Sequence, residues 1–143
     1  MPSVLRIHHV ALVVHDLDDA LAFWRDTLGL AAPSIEHIPE QQSEIAFLPL
    51  GESGLELVRP TTTESGVARF LAKRGPGMHH VCLEVANLDG MLARLRERDV
   101  RLINLEPLTG EDGRRMAFIH PESACGVLVE LYELPPSDRD QAS

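Results

Sequence analysis

Four of the seven histidines stand in two pairs, His8-His9 and His79-His80, 71 residues apart in a chain of 143. Imidazoles ligate borderline divalent metals and move protons near neutral pH. A spacing of half the chain raises the question of an internal repeat. Laid on one another, IHHVALVVHDLDDALAFWRD (7–26) and MHHVCLEVANLDGMLARLRE (78–97) agree at 10 of 20 positions. The same offset sets Ala46-Phe47 on Ala117-Phe118. After a three-residue insertion it sets Leu55-Glu56-Leu57 on Val129-Glu130-Leu131. The chain is a duplicated half-domain, too long in period for a solenoid and too short for two independent domains.

Alternation of side chains along a strand separates the histidines within each pair. Val10, Leu12 and Val14 share a face with His8, and Val81, Leu83 and Val85 share one with His79. That apolar face is expected to pack on a helix, with His8 and His79 at the strand ends beneath it. The opposite face carries His9, Ala11 and Val13 in one half, and His80, Cys82 and Glu84 in the other. It is smaller and more polar, as the wall of a cavity would be. Glu56 and Glu130 are each flanked by apolar neighbours that face the other way. One His and one Glu therefore recur per half at matched positions: His9 with Glu56, and His80 with Glu130. Two imidazoles and two carboxylates suit a single divalent ion such as Co, Zn, Ni, Mn or Fe. A lone strand histidine is more often a satisfied core or surface group than a ligand. The matched repetition of both residue types favours the metal. His15, His37 and His120 have no repeat partner and read as surface or loop residues.

The elements that must position these groups read alike in both halves. Residues 6–14 alternate as a strand. Asp16 N-caps a helix bearing Leu17, Leu21, Trp24 and Leu28, closed by Gly29. Strands follow at 44–50 and 55–58, around a turn at Gly51–Gly54. In the second half the strand is 79–85. Asn87 caps a helix with Leu88, Met91, Leu92 and Leu95, and strands follow at 115–119 and 127–133. One further strand is expected near 31–38 and another near 100–106. The fold class is α+β: two βαβββ modules, 5–60 and 78–134, within one domain. A linker at 61–77 carries a short helix capped by Ser65 and ended by Gly75-Pro76-Gly77. The polar tail 135–143 reads as loose.

Composition narrows the function. The 13 Lys and Arg against 22 Asp and Glu give a net charge of −9, which argues against nucleic acid as a partner. The 44% hydrophobic share excludes disorder, and no apolar run reaches the length of a membrane span. Cys82 and Cys125 lie in unrelated contexts and form no disulfide framework. With no signal-like opening, a reducing cytoplasmic setting is the expectation.

The segment IHHVALVVHDLDDALAFWRDTLGL resembles the opening of vicinal-oxygen-chelate (glyoxalase-like) proteins. The runs SGVARFLAKRGPGMHHVCLEV and GRRMAFIHPESACGVLVELYE are similar to the methylmalonyl-CoA epimerase family within that superfamily. The resemblance implies a curved mixed sheet forming a cleft around one divalent metal, with ligands at His9, Glu56, His80 and Glu130. It implies epimerisation of an acyl-CoA substrate at its α-carbon through a metal-stabilised enolate. It places a second catalytic carboxylate at Glu44, opposite Glu130, and implies a homodimer. Glu44 falls on Arg115 in the repeat, so this carboxylate is not duplicated. In the resemblance the second ligand position is often Gln in the epimerases and often Glu in glyoxalase I, and Glu56 does not discriminate between the two. A glyoxalase I-type lyase and a metal-free drug-binding protein of the bleomycin-resistance type are the alternatives. A ring-cleaving dioxygenase is disfavoured by four protein ligands. Lys73, Arg74, Arg114 and Arg115 are the local cations that could meet CoA phosphates.

Overall fold

The computed structural model describes residues 1–31, 33–110 and 112–136, and of Glu40 the backbone alone. The tail expected to be loose lies from residue 137 onward outside the described residues. Among the described residues the elements are β1 (Ser3–Val13), α1 (Leu17–Leu21), β2 (Ser34–Ile38), β3 (Ser43–Leu50), β4 (Ser53–Pro60), α2 (Gly66–Arg74) in the linker, β5 (Gly77–Ala86), α3 (Leu88–Glu97), β6 (Leu108–Thr109), β7 (Arg115–Ile119) and β8 (Leu128–Glu133). By contact density the chain forms two compact units. One is His9–His79; the other joins Met1–His8 to the residues from His80 onward. Each boundary falls between the two histidines of a pair.

In the His9–His79 unit the strands run β2-β3-β4-β1, with β1 parallel to β4 and the other pairs antiparallel. Asp16 starts α1, its Oδ1 accepting from the Asp19 amide at 2.9 Å. Leu17 and Leu21 of α1 pack with Ala46, Leu48, Leu55 and Leu57 of the sheet, and Val10, Leu12 and Val14 join them. The apolar parity face thus meets the helix as the alternation requires. Ala11, Ile45 and Val58 form a second cluster on the other face, closed by Val67 of α2 and Ile38. Ser65 caps α2 through Oγ, and Gly75 ends it with φ +76°.

The helix after Leu21 departs from expectation. Residues Ala22–Thr27 wind as a π-helix, with Leu28 N bonding Phe23 O and Leu30 N reaching Trp24 O. The wider turn rotates the side chains on its C-terminal side. Trp24 and Leu30 pack on the core, while Leu28 is left exposed.

In the other unit the strands run β5-β8-β7-β6, again with one parallel pair, β5 with β8. Leu88, Met91 and Leu92 of α3 pack on Val85, Ala117 and Leu131. Asn87 caps α3 from a left-handed conformation, φ 60°, and the buried Glu133 carboxylate accepts from the Leu88 amide at 2.6 Å. The strand expected near 100–106 is reduced to a single bridge, Leu102 to Ile119, and β6 begins only at Leu108. Backbone bonds run from Ile103 N to Phe118 O and from His120 N to Arg101 O, and beyond them the Asn104 side chain takes over, its Oδ1 accepting from the Phe118 amide at 2.8 Å. The chain's start is tied into this unit. Arg6 donates twice to Oε1 of the buried Glu84, at 2.9 and 3.0 Å.

Candidate metal centre

His9, at the point where β1 enters its unit, is 5% exposed. Its Nε2 lies 3.5 Å from Glu56 Oε2 on β4. Glu56 pairs in register with Ala11 on one side and Phe47 on the other. The Phe47 ring meets the His9 ring edge-on, 6.2 Å between centroids and 85° between planes. Taken by itself, the other unit repeats this arrangement. His80 Nε2 lies 3.2 Å from Glu130 Oε1. Glu130 pairs with Cys82 and with Phe118, whose ring meets His80 edge-on at 6.4 Å and 85°. Each half thus supplies one imidazole whose Nε2 shares its surroundings with a carboxylate oxygen, fixed in orientation by one aromatic edge.

The donor set fits a divalent cation. Both histidines present Nε2 to a carboxylate, and His9 and Glu130 are buried, where a carboxylate is costly without a cationic partner. The phenylalanines belong to this arrangement too, although residue types alone did not single them out. The signal was present in the alignment of Ala46-Phe47 on Ala117-Phe118.

Glu44 does not share this face. Antiparallel register pairs it with Arg59, whose Nε lies 3.6 Å from Glu44 Oε1. It alternates in step with Ala46 and Leu48, which pack under α1, and out of step with Phe47. With Arg59, His15, Asp16, Leu17 and Asp18 it lines a separate depression at the start of α1. The position beside Phe47 on the His9 face is Ile45, which pairs with Val58. The register thus sets Glu44 on the α1 side of β3, with Ile45 and Phe47 on the other.

Two further expectations change. His8 lies against the Tyr132 ring at 4.7 Å, and His79 meets Phe70 of α2 edge-on at 5.0 Å. Burial, with the Arg6 charge, pushes the His8 imidazole below its ordinary value. Beyond the ligands, the polar parity face is filled and not an open wall. Ala11 and Val13 are fully buried, Cys82 packs with Tyr132 and Leu134, and Glu84 is taken by Arg6. His15 and His37 are exposed as expected, and His120 Nδ1 accepts from the Glu122 amide.

Of the local cations, Arg115 is held by Asp89 at 2.7 Å and by Glu133 at 3.3 Å, and Arg74 lies over the Phe70 ring. Arg114 donates to the Tyr132 hydroxyl. Burial pushes that phenol well above its ordinary value, against the opposing pull of Arg114. Among the described residues, no helix is long and apolar enough to cross a membrane.

Residues 8–118 match the Glyoxalase/Bleomycin resistance protein/Dioxygenase superfamily. The chain is 38% identical to the mitochondrial methylmalonyl-CoA epimerase of Mus musculus over 129 residues, 90% of this chain and 72% of that protein. It is 35% identical to the ethylmalonyl-CoA/methylmalonyl-CoA epimerase of Cereibacter sphaeroides over 131 residues, 90% of this chain and 98% of that protein. Among solved structures, a variant of Streptomyces coelicolor methylmalonyl-CoA epimerase in complex with 2-nitronate-propionyl-CoA superposes with a TM-score of 0.85. It is 36% identical, covering 94% of this chain and 97% of that one. The duplicated βαβββ fold, the two matched His–Glu pairs and these relatives agree: the chain belongs to the methylmalonyl-CoA epimerase family of that superfamily.

Proposed function

We propose that the protein interconverts the (R) and (S) epimers of methylmalonyl-CoA, with one divalent cation held by His9, Glu56, His80 and Glu130. The observation that carries this reading is the twofold His–Glu–Phe arrangement, reproduced in each half with the same strand register. The α-carbon of a 2-carboxyacyl thioester is a weak acid. Its conjugate base is a planar enolate, the geometry that the nitronate bound by the Streptomyces relative shares. The ion supplies Lewis-acid stabilisation of that negative charge. The chain's own part is to orient the ligands, exclude water and move the proton.

Inversion requires removal of the proton on one face of the α-carbon and its return on the other. Two carboxylates, Glu56 and Glu130, occupy equivalent strand positions, one per half, and are the groups available on the faces that bear His9 and His80. We assign the two proton transfers at the α-carbon to them. Positioned general acid–base groups of this kind contribute about 10²–10⁴-fold each. The buried surroundings of Glu130 and the rings of Phe47 and Phe118 keep bulk water from competing for the proton.

Cobalt, zinc, nickel and manganese all suit this donor set. Cys82 and Cys125 form no disulfide, in keeping with a cytoplasmic site of action. Met1, Val4, Leu5 and Ile7 leave apolar surface exposed at the start of the chain, which supports a homodimer.

The test is turnover of a single methylmalonyl-CoA epimer in deuterated water, by protein loaded with cobalt. Deuterium at the α-carbon and approach to an equal mixture are expected, with loss on chelation and recovery on reloading. A loaded protein that leaves the epimer unchanged refutes the function.

A further inference from the structure

The two halves hold their aromatic edges by different devices. In the His9–His79 unit, Phe47 lies in register between two strands, with Ser34 of β2 on its outer side and Glu56 of β4 on its inner side. The 71-residue offset sets Ser34 on Leu105 and Phe47 on Phe118. In the other unit, taken by itself, Leu105 does not enter the sheet. Its carbonyl is turned toward α3, where Arg96 Nη1 donates to it at 2.9 Å. The chain leaves β7 after Ile103, whose amide donates to Phe118 O at 2.8 Å. The Phe118 N–H faces the same way, where the repeat would have a strand carbonyl. Asn104 Oδ1 accepts it instead, at 2.8 Å. The side-chain amide is itself oriented: its Nδ2 donates to Glu106 O at 2.8 Å, which leaves Oδ1 toward β7.

Phe118 is the residue whose ring meets His80 edge-on, and it pairs in register with Glu130. The pose of that ring follows from the backbone that carries it. On its outer edge that backbone is held at two points, the Ile103 amide and the Asn104 side chain. A five-residue strand does the same work for Phe47. One side chain has therefore taken over what the duplication first assigned to a strand.

We propose that Asn104 is a positioning residue for the metal centre: by fixing the Phe118 amide it sets the ring that orients His80 Nε2 beside Glu130. The inference rests on the reading of His80 and Glu130 as metal ligands. The acceptor oxygen is the part of Asn104 that matters. An aspartate can supply it; an apolar side chain of the same size leaves the Phe118 N–H without an acceptor.

The test uses protein loaded with cobalt(II), whose visible absorption reports ligand geometry and whose Kd is read by competition with a chelator. Asn104→Leu is expected to weaken cobalt by about 10-fold, the lower end of the range for groups behind the ligands, and to shift the visible bands. Asn104→Asp is expected to return both to near wild type. In a Phe118→Leu background, Asn104→Leu should add no further loss, because the ring it positions is gone. Melting of the metal-free proteins separates this role from a general structural one. An Asn104→Leu protein that melts lower without metal, yet keeps wild-type cobalt affinity and bands, overturns the proposal. So does a loss that persists undiminished in the Phe118→Leu background, or one that aspartate does not reverse. If Asn104→Leu does not fold, Asn104→Ser, too short to reach β7, takes its place under the same outcomes. A wild type that takes up no cobalt would instead refute the metal reading on which the inference rests.

Discussion

Glu44 separates two ways of assigning a residue. Resemblance places a carboxylate in the strand before the first hairpin turn, and Glu44 is the carboxylate found there. Period-two alternation, applied to that strand as it was to the others, groups Glu44 with Ala46 and Leu48 and sets it opposite Phe47. The structure follows the alternation: Glu44 meets Arg59 beside the start of α1. Glu44→Gln is therefore expected to keep both its metal content and an epimerisation rate close to wild type. Glu130→Gln is expected to lose turnover by at least about 10²-fold, the scale of one positioned acid–base group. Rates of both variants on methylmalonyl-CoA check this. A Glu44→Gln protein as inactive as Glu130→Gln would restore the carboxylate assignment and refute the face assignment.

Elements were legible where a repeat and a periodicity coincided. The two His–Glu pairs, the caps at Asp16 and Asn87, and the βαβββ succession of elements in each half all follow from such coincidences. What escaped is local substitution of one bonding pattern for another. Leu17, Leu21, Trp24 and Leu28 have helical spacing, and nothing in it announces the π-turn that exposes Leu28. Residues 100–106 look like a strand, but Asn104 bonds β7 through its side chain. Close approach was equally silent. A Cβ on Gly54 would collide with the tip of the Phe47 ring, so the hairpin can close over that ring only with glycine there. Gly54→Ala is expected to cost about 1–3 kcal/mol by overpacking, and to weaken metal binding because Phe47 orients His9. Gly66→Ala, whose Cβ meets open space, is the control and should be neutral or stabilising; thermal melts with and without cobalt read both. A further device ties α3 to β7. Hydrogen bonding from Arg115 holds the Asp89 carboxyl below its usual 3.8, so the pair stabilises the fold above that pH and ceases to as pH falls through the lowered value. Asp89 is largely exposed, so Asp89→Asn should cost less than about 1 kcal/mol at pH 7. Melting temperatures of variant and parent should converge in strong acid; a gap that persists there would exclude the ion pair as its cause.

At the scale of the whole chain, duplication is what makes a metal site readable from one sequence. A single His–Glu contact 3.5 Å long on a strand is weak support for a ligand pair; the same contact at 3.2 Å on the equivalent strands, with an equivalent aromatic edge, is not coincidence. Symmetry leaves one question that separates two stoichiometries. If each pair bound its own ion, the chain would take up two, and loss of either histidine would remove one. If both pairs serve one ion, either loss leaves it three ligands with a single imidazole among them, and weakens the whole ion enough for it to be lost on desalting. We expect the second. Cobalt-loaded and desalted wild type should carry one equivalent by elemental analysis, and His9→Ala and His80→Ala should each carry almost none. Added metal at about 100 times its Kd should stabilise the wild type by about 2.7 kcal/mol and neither variant. Melting of the metal-free proteins distinguishes lost ligation from lost folding. Two equivalents in the wild type, with one retained in each variant, would refute a shared ion and leave the halves as independent sites.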